Sequence, residues 1–157
     1  MDSGISRQAG KHMSALETWM VPLFAKAPHL PESARQTLAK IAPWLALIFG
    51  ILGLFGILSA GILSSMFAFS FVGMGMVQIS MVISLLAGLI SSVLEIFAFK
   101  PLSARRKKGW NYLFYATVLM AVSALIGAIL GYSGALGNIL GILIGFWLLF
   151  EVRRLYQ

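Results

Sequence analysis

The sequence predicts an all-α fold: an integral membrane four-helix bundle of two helical hairpins, preceded by a cytoplasmic amphipathic interfacial helix. Residues 41–94 and 109–150 contain no Asp, Glu, Lys or Arg, and each tract is long enough for two membrane passes of about 20 residues. All 12 Lys and Arg residues fall on one side of the membrane once these tracts fold back and forth as four helices. The tracts are also continuously apolar, without the alternation of a barrel strand.

The composition supports lipid, rather than water, as the solvent of these tracts. The 157 residues are 59% hydrophobic and 11% charged, whereas a soluble domain is about 25% charged. The net charge of +7 is explained by the positive-inside rule and by attraction to anionic lipid head groups, so no nucleic-acid partner is predicted. The absence of Cys excludes disulfides and thiolate metal sites.

The amino-terminal part divides into two segments. Residues 1–13 are polar and unpatterned, and we interpret them as a cloning remnant or a disordered tail. Residues 14–42 are predicted to be an amphipathic, helical, cytoplasmic segment, because apolar residues recur there at helical spacing. The stripe consists of Leu16, Trp19, Met20, Leu23 and Phe24. It either lies in the membrane interface, as a Trp at its apolar face favours, or packs on the cytoplasmic ends of the bundle.

The membrane domain is predicted to occupy residues 43–157. Pro43 marks the entry to the bilayer, with a bend that sets the preceding helix at an angle to the first span. The four transmembrane helices are expected at about 44–67, 76–99, 110–132 and 136–152. Because both loops on the far side lack Lys and Arg, the termini are predicted to be cytoplasmic and the protein to lie in the inner cell membrane.

Small residues recur along the predicted spans and let lipid-embedded helices approach one another closely. We predict that they mediate helix packing, and that they also allow a homo-oligomer or a larger membrane complex to form. The predicted packing residues are Gly50, Gly53, Gly56, Ser80, Ser84, Gly88, Ser92, Gly127, Gly137, Gly141 and Gly145. The functional alternative is a hydroxyl-lined pore along Ser80, Ser84 and Ser92.

Few polar groups remain that could carry chemistry. Glu95 and Glu151 lie within a turn or two of the cytoplasmic boundary, where each is either a proton or cation site or a member of an ion pair. The ion-pair alternative gives them Lys100, or Arg153 and Arg154, as partners. Gln78 and Asn138 are candidates for hydrogen bonds across the bundle.

A lipid head-group site is predicted from one tryptophan and a run of basic residues, because anionic lipids attract such clusters. Its members are Trp19, Arg105, Arg106, Lys107 and Lys108. The bilayer, with its anionic lipids, is therefore one expected partner.

No catalytic, cofactor-binding or metal-binding set is found, so an enzyme is not expected. The leading hypothesis is a structural, accessory or scaffold membrane protein that packs through its Gly and Ser ridges. The alternative is a channel or carrier for an apolar or amphipathic substrate, with a site near Ser80, Ser84 and Asn138. A third interpretation is a sensor of the lipid surface that acts through Trp19, Phe24 and the basic cluster of residues 105–108.

Overall fold

The computed structural model describes residues 15–24, 28–67, 75–130 and 135–156, and of residues 61–67, 76–78, 80 and 135–138 it describes the backbone alone. The regular structure of this part of the chain is helical throughout. The helices are α1 (residues 15–24), α2 (Glu32–Phe67), α3 (Gly75–Ser103), α4 (Lys107–Ile129) and α5 (Ala135–Val152), followed by a 3-10 turn, Arg153–Leu155. The predicted tail, residues 1–13, lies outside the described residues.

Within the described residues, three helices are long and apolar enough to cross a membrane, over Glu32–Ala60, Met81–Ser103 and Lys107–Ile129. Many of their large apolar side chains face outward; Phe55, for example, is 65% exposed. An outward surface of this kind is stable in lipid rather than in water. The prediction of an all-helical fold with helices that could span a membrane is confirmed to this extent. The fourth predicted span, 136–152, coincides with α5, which is not among the three.

The helices pack largely in chain order. α3 lies between α2 and α4, and α5 packs on α4 but meets α2 over a short stretch only. The buried core lies toward one end, where its largest fully buried side chains are Leu102, Trp110 and Phe114. We call this the basic end; it is formed by α1, the start of α2, the α3–α4 connection and the 3-10 turn. Trp110 is 1% exposed and donates a hydrogen bond to the Leu149 carbonyl at 2.8 Å.

α2 continues through Pro43, where the sequence predicts a bend between two helices. A proline has no N–H, so Pro43 leaves the Ala39 carbonyl without its usual helical donor. The Tyr156 hydroxyl donates to that carbonyl oxygen at 3.2 Å. Burial raises the pKa of the Tyr156 phenol, and the positive charge of Arg105 acts in the opposite direction. Because the net change is upward, this hydroxyl keeps its proton at neutral pH. The carboxyl-terminal end therefore supplies the hydrogen bond that the proline removes.

The connection between α3 and α4 is shorter than predicted, because α3 runs four residues beyond 99 and α4 begins three residues before 110. Pro101 lies within α3. The Arg106 N–H donates a hydrogen bond to the Pro101 carbonyl at 2.9 Å, and the Arg105 N–H donates one to the Leu102 carbonyl at 2.9 Å. Arg105 has a φ of 54°, the left-handed conformation that this helix ending requires.

Gly109 allows the first turn of α4 to pack on the end of α3. A Cβ at this position would lie 2.5 Å from the backbone nitrogen of Leu102 and 2.9 Å from the carbonyl carbon of Pro101. Neither atom can move without moving the helix end. A residue with a side chain would thus force the α3–α4 connection apart.

Candidate functional site

The amino-terminal helix α1 packs with one half of its apolar stripe on α5. Met20 and Phe24 contact the core, and the Phe24 ring stacks on Phe150 with a centroid distance of 5.0 Å and an interplanar angle of 10°. The other half faces outward, since Trp19 is 66% and Leu23 54% exposed. Part of the stripe thus packs on the helix ends, and an interfacial position of α1 stays a prediction that rests on its outward residues.

Glu151 holds the start of α2 against the end of α5. Its side chain is 3% exposed, and a carboxylate so deeply buried is stable only when it is paired. His29 Nδ1 lies 2.7 Å from one carboxylate oxygen, and the Arg35 Nε–H donates to the other at 2.8 Å. The Leu30 backbone N–H donates to that second oxygen at 3.2 Å. We call these four residues the carboxylate latch.

The latch partners differ from those that the sequence suggests. Neither Arg153 nor Arg154 pairs with Glu151 in the part of the chain that the structure describes. Arg153 binds Glu17 of α1 instead, with its Nη2 at 2.6 Å and its Nε at 2.8 Å from one oxygen. Lys107 adds a longer contact to the same oxygen, at 3.5 Å. Residues from α1, α4 and the 3-10 turn are thereby tied together.

Sequence reasoning did not select His29 or Arg35 as partners of Glu151. The available signal is that a carboxylate at the end of an apolar helix needs a cation as partner. The sequence alone does not show that residues 28–35 pass over the end of α5.

The predicted lipid head-group residues lie on the outside of the basic end. Arg105, Arg106 and Lys108 are exposed, and Lys107 is 50% exposed although it contacts Glu17. The Lys108 ammonium lies 5.8 Å from the centre of the Tyr112 ring. The cluster therefore keeps most of its charge available to an anionic surface, and the head-group site stays a prediction.

Glu95 lines a crevice that opens between α2 and α5, where these two helices barely touch. The crevice has a volume of about 270 Å³ and is walled by apolar side chains of α2 and α5, among them Leu45, Phe49 and Leu148. Among the described residues no hydrogen-bond donor or cation contacts the half-buried Glu95, and the suggested pair with Lys100 is not formed. We call this space the α2–α5 crevice.

A second cavity adjoins the α2–α5 crevice. Its volume is about 530 Å³, and it shares Leu38 and Leu148 with the crevice. It reaches toward the carboxylate latch, since Leu30 and Trp147 also line it. The Trp147 indole N–H donates to the Pro28 carbonyl at 3.2 Å. Two neighbouring, mostly apolar depressions thus lie between the basic end and Glu95.

Four of the predicted packing residues lie at the contact of α2 with α3. A Cβ on Gly50 would lie 2.8 Å from Ile96 Cγ1 and 2.9 Å from the Ser92 carbonyl oxygen, and one on Gly53 would meet the Ser92 side chain. A Cβ on Gly88 would lie 3.1 Å from Ile57 Cδ1. These glycines let the two backbones approach closely.

The remaining predicted packing residues fall into different places. Gly127 is buried, a Cβ on Gly145 would lie 3.8 Å from Thr117, and Gly56 and Gly141 face open space within the described residues. Ser123 donates to Ser84 at 3.4 Å. Ser84 thus faces α4 and Ser92 faces α2. Gly137 lies in α5, but its surroundings and the side chains of Gln78, Ser80 and Asn138 are outside what the structure describes.

No three or more His, Asp or Glu side chains come together as a metal site within the described ranges. Comparisons of the chain with models of protein families, with curated proteins and with solved structures find no match.

Proposed function

We propose that this chain is a multi-pass membrane protein of the structural or accessory type, without enzymatic activity. In this proposal α2 to α5 form a four-helix bundle in the inner membrane, and the basic end faces the cytoplasm with both termini. The observation that carries this proposal is that Glu17 and Glu151 are each bound by residues far away in the sequence. These carboxylates therefore hold distant parts of the chain together.

The lipid bilayer is the first partner in this proposal. The exposed Arg105, Arg106 and Lys108 would face anionic head groups, each contributing about 1 kcal/mol of attraction. Trp19 and Leu23 point away from the core on the same end and would lie at the level of the head groups, as amphipathic helices do.

The orientation can be tested with single cysteines, because the chain has none of its own. A cysteine at Ala104, in the α3–α4 connection, should react with an impermeant maleimide only after the membrane is opened. A cysteine at Ser133, in the predicted far-side loop, should react in intact cells. The reverse pattern would exclude the proposed topology.

Self-association is the second part of the proposal. Gly56 and Gly141 leave gaps on outward faces of α2 and α5, and close backbone approach at such gaps is how lipid-embedded helices associate. We expect crosslinked oligomers in nanodiscs that Gly56→Leu and Gly141→Leu reduce. Ala128→Leu, which places the same leucine side chain at an exposed position of α4, is the control. A monomer in all samples would exclude a homo-oligomer.

The α2–α5 crevice favours a second candidate function, a carrier for an amphipathic substrate. The crevice and the adjoining cavity share Leu38 and Leu148, so a substrate that entered from the basic end would meet mostly apolar side chains on its way toward Glu95. Reconstituted protein should then accelerate the exchange of a fluorescent lipid or amphiphile across liposome membranes, and Leu45→Trp, which fills the crevice, should abolish that activity. Equal rates with and without protein would exclude this candidate.

A further inference from the structure

We propose that the α2–α5 crevice binds a lipophilic monovalent cation, with Glu95 as its counter-ion and the apolar walls of the crevice as its seat. This inference concerns the same crevice as the carrier function, but it requires only binding. It is independent of self-association and of transport.

The charge of Glu95 is the first argument. Glu17, Glu32 and Glu151 each have an ion-pair partner, whereas none is found for Glu95 among the described residues. Glu95 belongs to a helix segment that is apolar enough to cross a membrane, Met81–Ser103. Ionisable groups in membrane-spanning segments are costly and are normally paired. A cation seated beside the Glu95 carboxylate would compensate its charge.

The cations of the described residues do not supply that charge. Arg35 is bound to Glu151, and Arg153 to Glu17. Lys100 is exposed and makes no contact with Glu95 in the described part of the chain. A cation from outside can therefore take the place beside Glu95 that the described residues leave open.

The walls of the crevice select the kind of cation. A metal ion such as Ca²⁺ or Mg²⁺ needs about six oxygen ligands, but the residues lining the crevice are almost all apolar. Their one hydroxyl, on Thr117, already donates to the Leu113 carbonyl at 2.8 Å. A cation that carries its own apolar surface loses little hydration on entry and gains contacts with Leu45 and Leu148.

Size and aromatic content agree with this choice. The adjoining cavity, of about 530 Å³, lies within the range of about 300–1,000 Å³ that small-molecule sites usually have, and the crevice itself, of about 270 Å³, lies just below it. Phe49 lines the crevice and exposes 59% of its surface. Its ring face can attract a quaternary cation at short range.

The test uses two probes of the same shape and opposite charge, tetraphenylphosphonium and tetraphenylborate. We expect the full chain in detergent micelles to bind tetraphenylphosphonium saturably in equilibrium dialysis and to bind tetraphenylborate only in proportion to the detergent. Glu95→Gln should weaken phosphonium binding by at least about tenfold, because it removes the charge and keeps the shape. Leu45→Trp should weaken it through bulk alone. Glu32→Gln, at a carboxylate 63% exposed, should leave it unchanged.

Each variant is first shown to be folded by its circular dichroism and by a single peak in size exclusion. The proposal is overturned if folded Glu95→Gln binds phosphonium as tightly as the parent, if tetraphenylborate competes equally, or if no saturable binding is seen. A chain that binds phosphonium but moves no amphiphile in liposomes would retain this site and lose the carrier function.

Discussion

The carboxylate latch and the α2–α5 crevice are each built around a glutamate that precedes basic residues near the end of an apolar helix. Glu151 has a side chain that is 3% exposed and receives hydrogen bonds from two side chains and one backbone N–H. Glu95 faces an apolar crevice, and no partner for it is found in the described residues. Similar sequence surroundings thus lead to a saturated carboxylate in one place and an unpaired one in the other.

The difference arises from where the amino-terminal segment lies. Residues 28–35 cross the end of α5 and bring a histidine, an arginine and a free backbone N–H to Glu151. None of the described segments brings such groups to Glu95, which lines the mostly apolar crevice. A carboxylate that stabilises the fold and one that is free for a ligand are therefore distinguished by packing rather than by local sequence.

The largest expected effect separates the two glutamates directly. Glu151→Gln should reduce the free energy of unfolding by about 2–3 kcal/mol, less than for a wholly buried pair because His29 is half exposed. Glu95→Gln should leave it unchanged or raise it, since a neutral amide is less costly to bury there. Unfolding by sodium dodecyl sulfate in mixed micelles measures both, with the exposed Glu32→Gln as control. Equal losses for the two would contradict the distinction.

The second prediction extends the comparison to the two sides of α2. Gly50→Ala should cost about 2 kcal/mol, because its Cβ would press on the Ser92 carbonyl and on Ile96 of α3. Gly56→Ala meets open space within the described residues and should gain up to about 1 kcal/mol from helix propensity. The same unfolding titration checks both. A loss at Gly56 would show that this face is covered.

The third prediction concerns the hydrogen bond that sustains α2 through Pro43. Tyr156→Phe should cost about 1 kcal/mol, because it leaves the Ala39 carbonyl without a donor. In a Pro43→Ala background the restored N–H takes the place of the hydroxyl, so the same change should cost measurably less. The double-mutant cycle gives the coupling energy. Strict additivity would mean that Tyr156 acts through packing alone.

Much of the fold could be predicted because the uncharged tracts are a local property of the sequence. The four predicted spans overlap α2 to α5, although α2 is not interrupted at Pro43 and the third span, 110–132, extends beyond the end of α4 at Ile129. That continuity depends on Tyr156, which lies 117 positions from Ala39, and no periodicity links the two. The carboxylate latch also joins residues that are distant in the sequence, since Arg35 and Glu151 are 116 positions apart.

The candidate site was predicted less completely. Glu95 and Glu151 were selected as the polar residues nearest the spans, but their local patterns could not separate their roles. The apolar stripe of α1 was visible from its spacing, whereas its division between packed Phe24 and outward Trp19 depends on Phe150 of α5. The crevice itself follows from the short contact between α2 and α5, which the sequence does not encode locally.

The smallest expected effect tests which contacts of the basic end hold the fold and which remain free for lipid. Lys107→Ala should cost about 0.3 kcal/mol at low salt and nothing at high salt, since its ammonium is 3.5 Å from Glu17 and 50% exposed. Arg153→Ala should cost more, because Arg153 holds Glu17 at 2.6 Å. If Lys107→Ala proved as costly as Arg153→Ala, Lys107 would be a structural residue. If it leaves stability intact but weakens binding to anionic vesicles, the charge of Lys107 serves the membrane surface while Arg153 serves the fold.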